Sequence, residues 1–230
     1  MVVDLPMPKI NVLVEGQTEE TFVRDVLNPH FMGKNSTIYL NAIIIQTKRV
    51  LNGGKWRGGV TTYRHFRDDA RRLIADSGAL VITSMIDLYK LPADFPGFAA
   101  SQSLPLRARV KFLESALSDD LDCERFLPYI STHEFESLVL ADPRILADVM
   151  GASESDLRPL REQVDSFESP EHVNGTVAPS DRIISCLPSY DKVRHGPIST
   201  ARIGLRAIAS QCLHFSEWVN GLENLTAISN

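Results

Sequence analysis

Apolar and polar positions alternate in two rhythms along the first 140 residues. Residues 9–14, Lys-Ile-Asn-Val-Leu-Val, are a short run that stops at Glu15-Gly16, which predicts a buried strand closed by a turn. Thr18 is expected to cap the next helix, with Glu19 and Glu20 in its first turn, where the helix dipole favours acids. Phe22, Val23, Val26 and Leu27 follow at helical spacing, and Asn28-Pro29 predicts the stop. Residues 38–46 read as a second strand. The loop Asn52–Gly59 has four glycines in eight residues. A helix is expected from Thr61 to Ser77, with Phe66, Ala70, Leu73 and Ile74 on one face and Gly78 at its end. Residues 79–86 form a third buried run, with Asp87 at its carboxyl end. A loop over 88–103, a helix over 104–117 and a strand over 126–131 follow, the last running into His133-Glu-Phe-Glu136. From there the rhythm is helical, over 134–141, 143–150, 154–166, 179–186, 198–211 and 214–222, with a Pro, Gly and Ser loop at 167–179.

Strands alternating with helices predict an α/β fold: a mostly parallel, Rossmann-like, four-stranded sheet flanked by helices. The division expected is an α/β core over residues 1–142 and a helical C-terminal extension over 143–230, packed on the sheet edge or as a cap. Ligands of such sheets sit outside the carboxyl ends of the strands. The first, third and fourth strands end at Glu15, Asp87 and the 133–136 stretch, so three acidic clusters share one rim.

Oxygen donors at strand ends suit a hard cation, Mg²⁺ or Mn²⁺. Such an ion stabilises charge in phosphoryl transfer and activates water. Glu15 and Asp87 meet if the first and third strands are neighbours. Glu134 and Glu136 share a face on a strand, but lie about 200° apart on a helix. The spacing of Phe135, Leu138 and Val139 favours the helix, so only one of the two glutamates then points at a metal. His133 can serve as ligand, proton carrier or cap, and a cap or structural hydrogen bond is the plainer expectation. In Tyr190-Asp-Lys-Val-Arg-His-Gly-Pro197, Lys192, Arg194 and His195 are placed to reach a phosphate oxygen.

Charge adds a second strand of evidence. The net charge of −5 argues against a protein that coats nucleic acid, but leaves room for a local basic groove. Between Lys48 and Arg72 the basic residues Lys48, Arg49, Lys55, Arg57, Arg64, Arg67, Arg71 and Arg72 face only Asp68 and Asp69. Trp56, Tyr63 and His65 lie among them, a mixture suited to phosphate contact and base stacking. A solvated helix face beside a loop is the competing reading. Cys123, Cys186 and Cys212 are far apart and odd in number, which speaks against a zinc ribbon or disulfide framework. No apolar run approaches the roughly 20 residues of a membrane span, and the N-terminus does not resemble a signal peptide. A reducing cytoplasm is the expected compartment.

The motifs carry a family resemblance. Val14–Glu19 after a strand resembles the first motif of Toprim domains, found in topoisomerases, primases and overcoming-lysogenization-defect nucleases. More closely, the chain resembles a Toprim-related bacterial group, domain-of-unknown-function family 4276. The matching stretches are Val14–Glu19, Met85-Ile-Asp-Leu-Tyr89 with Asp94-Phe-Pro-Gly97, His133–Glu136, Pro179-Ser-Asp-Arg182-Ile183, Tyr190–Lys192 with His195-Gly-Pro197, and Ile203–Leu205 followed by His214-Phe-Ser-Glu-Trp218. The resemblance implies a Toprim-like core and a metal-dependent nuclease. Glu15 is implied as general acid or base or metal ligand, and Asp87 as the first aspartate of an Asp-x-Asp motif. Glu134, Glu136 and Lys192 complete the expected catalytic set. Glu15, Asp87 and Glu136 are the expected metal ligands. Arg182, Arg194 and His195 join Lys48, Arg49, Lys55 and Arg57 as expected nucleic-acid contacts, with Thr18, Glu19, Asp94 and His133 in support. The chain departs from the motif at Tyr89, where the second aspartate is missing, and Asp94 is the candidate substitute. Relatives encoded beside ATPases imply an ATPase partner in phage defence or DNA repair. A non-catalytic binding subunit is the alternative. A small-ligand protein or phosphatase of the same architecture is a third, weakened by the lack of a glycine-rich phosphate loop or nucleophile elbow.

Overall fold

The computed structural model describes residues 8–33, 38–45, 60–173 and 177–228. The first half carries β1 (Lys9–Val14), α1 (Gln17–Phe22), a π-helical turn (Val23–Leu27), α2 (Asn28–Gly33), β2 (Tyr39–Ile44), α3 (Tyr63–Ile74) and β3 (Ala79–Asp87). Then come α4 (Phe98–Ser101), α5 (Leu106–Leu121), β4 (Phe126–Leu127), β5 (Ile130–Ser131) and α6 (Glu136–Val139). The remainder is α7 (Pro143–Met150), α8 (Glu154–Asp165), a 3₁₀ turn (Pro170–His172), α9 (Pro179–Cys186), α10 (Lys192–Ile203), α11 (Leu205–Gln211) and α12 (Leu213–Ile228).

The sheet is parallel throughout, in the order β2-β1-β3-β4, with β5 also on β3. The expected fourth strand is two short pieces. Pro128 has no N–H for the ladder, and side chains of β3 bridge the gap. Ser84 Oγ donates to the Tyr129 carbonyl at 3.2 Å and accepts from its amide at 3.1 Å. Thr83 Oγ1 donates to the Leu127 carbonyl.

Alternation divides the strands between two cores. Ile10, Val12, Val14, Leu40, Val81 and Met85 pack with Phe22, Phe135, Phe215 and Trp218. Leu13, Ile45, Ile82 and Ile86 pack with Phe66 of α3 and with Val110, Leu113 and Leu117 of α5. The helices beyond residue 142 therefore cover a face of the sheet rather than its edge. Trp218 is the central contact: its Nε1 donates to Thr83 Oγ1 at 2.8 Å, and its ring stacks on Tyr129 at 4.5 Å.

Local deviations from the expected elements have identifiable causes. Gly16, not Thr18, is the N-cap of α1, and no side chain caps that end; Thr18 is buried inside the helix. The helix does not stop at Asn28-Pro29 but continues to Gly33. The π turn directly before Pro29 is wider than an α turn, which relieves the clash between a proline ring and the carbonyl four residues back. The expected helix over 198–211 starts earlier, at Lys192, and breaks at Gly204, whose φ of 82° lies where side chains are disfavoured. The loop over 88–103 contains α4.

A buried polar knot ties α12 to the sheet. His214 Nε2 meets Glu114 Oε1 at 2.9 Å, and the amides of His214 and Phe215 donate to Glu171 at 2.9 Å each. Burial opposes charge on His214, but the hydrogen bond and charge of Glu114, with Glu171 and Glu217 beyond, outweigh it and raise its pKa. A base that is easier to protonate when folded stabilises the fold below its unfolded pKa, and that contribution is lost as pH rises through the folded value. Urea unfolding should therefore show wild type losing about 1–2 kcal/mol between pH 6 and pH 8.5 relative to His214→Gln. Parallel pH curves for the two proteins would contradict this.

Candidate functional site

β1 and β3 are parallel neighbours, with Val14 opposite Met85, so Glu15 and Asp87 leave the sheet side by side. The Asp87 amide donates to Glu15 Oε2 at 3.1 Å. The Val60 amide also donates to Glu15, which brings Val60 to the rim. α1 begins two residues after Glu15 and carries Glu19 back beneath it, where Glu19 is buried. Glu136, on α6, has no exposed surface.

α10 supplies the cation. Asp191 caps this helix by accepting from the Arg194 amide at 3.0 Å, which sets Lys192 as its first residue. Lys192 Nζ lies 3.3 Å from Glu136 Oε2, 3.6 Å from Asp87 Oδ2 and 3.9 Å from Glu19 Oε1. The Tyr190 hydroxyl donates to the other oxygen of Glu136 at 3.2 Å. α10 packs against α1, and Gly196 makes that approach close. A Cβ there would stand 3.3 Å from both Phe135 and the Tyr190 hydroxyl, and 3.6 Å from Thr18.

Three carboxylates lie within 4 Å of the Lys192 ammonium and Glu15 stands beside Asp87, so among the described residues negative charge is in excess here. Burial pushes Asp87 well above its ordinary range, Lys192 opposes the shift, and Glu15, Glu19 and Glu136 add to it. Burial likewise raises Glu15 against the Asp87 amide, and raises Glu136 against Lys192. Burial disfavours charge on Lys192, but Asp87, Glu136 and Glu19 outweigh it, so the ammonium persists beyond the usual lysine range.

Other expected site residues are committed elsewhere. Glu134 accepts from the Ser180 amide at 3.0 Å, in the first turn of α9, while its charge still acts on Lys192 and Glu136. Asp94 accepts from the Tyr63 amide at 3.0 Å with both oxygens, so it holds the start of α3. Tyr89 stands two residues beyond Asp87, exposed, with Lys90 over its ring at 4.7 Å. His133 does not cap α6; its Nδ1 is buried without a hydrogen bond, and burial lowers its pKa. Arg182 bonds Gln163 Oε1 and the Val177 carbonyl and lies over Phe167. His195 Nδ1 accepts from the Asp191 amide at 2.9 Å, so it supports the α10 cap, while Arg194 is exposed. Lys48, Arg49, Lys55 and Arg57 lie outside the described residues. In α3, Arg72 pairs with Asp69 and Arg64 with Asp68, so part of the basic stretch is internally neutralised. The role of Tyr190 escaped the sequence reading, because nothing in its neighbours shows that its hydroxyl reaches back to residue 136.

Among the described residues, no three His, Cys, Asp or Glu side chains converge at metal-ligand spacing. The donor chemistry nevertheless fits a hard cation: the oxygens are carboxylate, buried and under-compensated. Glu136 Oε2 is buried, with the Lys192 ammonium 3.3 Å away and the Glu134 charge also acting on it.

No helix among the described residues is long and apolar enough to cross a membrane. No curated protein matches the chain. Among solved structures, the chain is similar to the C-terminal region of the Burkholderia pseudomallei OLD protein, at 15% identity and a TM-score of 0.43, covering 94% of this chain and 98% of that one. It is also similar to the C-terminal region of the Xanthomonas campestris pv. campestris OLD protein, at 15% identity and a TM-score of 0.40, covering 94% and 96%. The family described as "Domain of unknown function (DUF4276)" matches residues 14–223, and with nearly the whole sequence inside that match the chain belongs to this family.

Proposed function

We propose that the acidic rim is a phosphoryl-transfer site that cleaves nucleic-acid phosphodiesters with one Mg²⁺ or Mn²⁺. The observation that carries this reading is the excess of buried carboxylate over cation at the carboxyl ends of β1 and β3. Uncompensated buried carboxylates are costly, and a divalent cation is the ligand that removes the cost. Glu15 and Asp87 would hold the ion, which when bound would stabilise charge on the phosphoryl oxygens and activate a water. Lys192 is placed beside Asp87 to neutralise a further phosphate oxygen. The basic composition of the sequence between Lys48 and Arg72 supports nucleic acid as the substrate.

Calorimetric titration with Mn²⁺ tests the ion directly. Wild type is expected to bind, and Glu15→Gln to bind at least about tenfold more weakly. Because the ligands must lose protons held above the ordinary carboxylate range, affinity should climb between pH 5 and pH 8. Equal Mn²⁺ affinity in wild type and Glu15→Gln would remove this reading.

One observation favours a second reading, a non-catalytic subunit that binds nucleic acid or an ATPase. Tyr89 stands where a second carboxylate is expected, and Lys192 already occupies the centre of the cluster. Purified protein that binds an ATPase or DNA tightly yet cuts nothing with any divalent ion would support it.

A further inference from the structure

We propose that Glu136 and Tyr190 form a positioning pair for Lys192, and that Glu136 is a brace for the lysine rather than a metal ligand. The inference rests on the phosphoryl-transfer reading and deepens it by dividing the four carboxylates between two tasks.

The division follows from what each oxygen touches. Glu15 is half-buried and sits at the mouth, bonded to the backbone of Asp87 and Val60. Glu136 is wholly enclosed, and both its oxygens face groups of the Tyr190–Lys192 segment. Oε1 accepts from the Tyr190 hydroxyl at 3.2 Å, and Oε2 makes the shortest of the Lys192 contacts at 3.3 Å. One carboxylate thus links two residues that flank the Asp191 cap of α10.

The backbone around it is equally fixed. The Asp191 amide donates to His195 Nδ1, and Asp191 Oδ1 accepts from the Arg194 amide. Gly196 leaves the Tyr190 hydroxyl just enough space to point at Glu136. Tyr190 is itself buried in the same core as Phe135.

A lysine side chain has four freely rotating bonds, so an ammonium held by one contact wanders. Lys192 is held by Glu136 on the buried side, by Glu19 beneath, and by Asp87 toward the rim. Removing the Glu136–Tyr190 link takes away the shortest of these contacts and loosens the ammonium, without changing Glu15 or Asp87 themselves. In positioning terms, a displaced cation reduces turnover and leaves the ion site intact.

Two variants and two independent readouts test this. The ammonium of Lys192, assigned by its disappearance in Lys192→Arg, is followed by ¹H–¹⁵N NMR of lysine side chains. Wild type is expected to show a motionally restrained signal, Glu136→Gln to lose it, and Tyr190→Phe to weaken it. Mn²⁺ affinity, measured in parallel, should stay close to that of wild type in both variants, because neither change removes an oxygen of Glu15 or Asp87 or their mutual contact. With an oligonucleotide substrate, kcat should fall about 10–100-fold in Glu136→Gln and less in Tyr190→Phe, with KM unchanged. A tenfold loss of Mn²⁺ affinity in Glu136→Gln would make Glu136 an ion ligand and overturn the proposal. So would an ammonium signal unchanged in both variants. Should wild type cut no substrate, the phosphoryl-transfer reading falls, while the NMR signal still decides whether Glu136 and Tyr190 brace Lys192.

Discussion

Asp87→Asn will abolish metal-dependent cleavage and yet yield a protein that melts above wild type. The two effects share one cause. Asp87 is buried beside three other carboxylates, and its pKa is pushed well above the usual range by burial, with Lys192 only partly opposing. An acid whose folded pKa exceeds its unfolded value keeps protons that the unfolded chain releases. Stability attached to it is present at low pH and lost as pH rises through the folded pKa. At pH 7.5 the wild-type protein carries this cost, and Asn, of the same shape and uncharged, does not. Each pKa unit is worth about 1.4 kcal/mol, and about 1 kcal/mol moves Tm by roughly 2–4 °C in a chain of this size. A rise in Tm at pH 7.5 is therefore expected, shrinking toward pH 4 as wild type takes up its proton. Cleavage should fall by at least about 10³-fold, since the ion loses one of two ligands. A variant that melts below wild type at pH 7.5, or that still cuts, would contradict this account.

Lys192→Met is expected to show the opposite stability effect and the largest one. It leaves Glu19, Asp87 and Glu136 together without their shared cation. Breaking a buried pair by removing one partner costs about 3–5 kcal/mol. Lys192 retains 37% of its side-chain exposure, so the lower end applies, about 3 kcal/mol. That corresponds to a drop in Tm of roughly 6–12 °C at pH 7.5. The loss should shrink at pH 5, where the carboxyls take protons, and when Mn²⁺ is added. Adding Asp87→Asn to Lys192→Met should restore part of it, because the two changes act on one cluster and are not additive. Thermal melts of the four proteins at two pH values decide the matter. A Lys192→Met protein that melts with wild type at pH 7.5 would show that the cluster tolerates its charges unaided.

Much of the scaffold was legible because it is written in short-range rhythm. The β-branched runs at 9–14, 38–46 and 79–86 gave the strands, and Glu15 and Asp87 followed from their ends. Their meeting required one further condition, adjacency of the first and third strands, which the sheet order satisfies. Chain punctuation was less legible. Asn28-Pro29 carries a stop signal that the preceding π turn overrides, and Pro128 splits a strand whose apolar pattern runs straight through it. The least legible part was the assignment of individual acids. Asp94 and Glu134 have the right chemistry and the right neighbourhood, yet each is held by a backbone amide at a helix start, a competing use that spacing alone cannot reveal. Tyr190 and Glu136 are linked across more than fifty residues, and only packing brings them together.

The distance along the chain between the acids and their cation has an outcome for biosynthesis. Glu15, Glu19, Asp87 and Glu136 all leave the ribosome before Lys192 does. At about 5–20 residues per second, the strands and their four acids wait roughly three to ten seconds for the lysine. Until then the acids lack the ammonium that stands within 4 Å of three of them in the folded protein. The centre becomes complete only once the first residue of α10, its last contributor, has been translated.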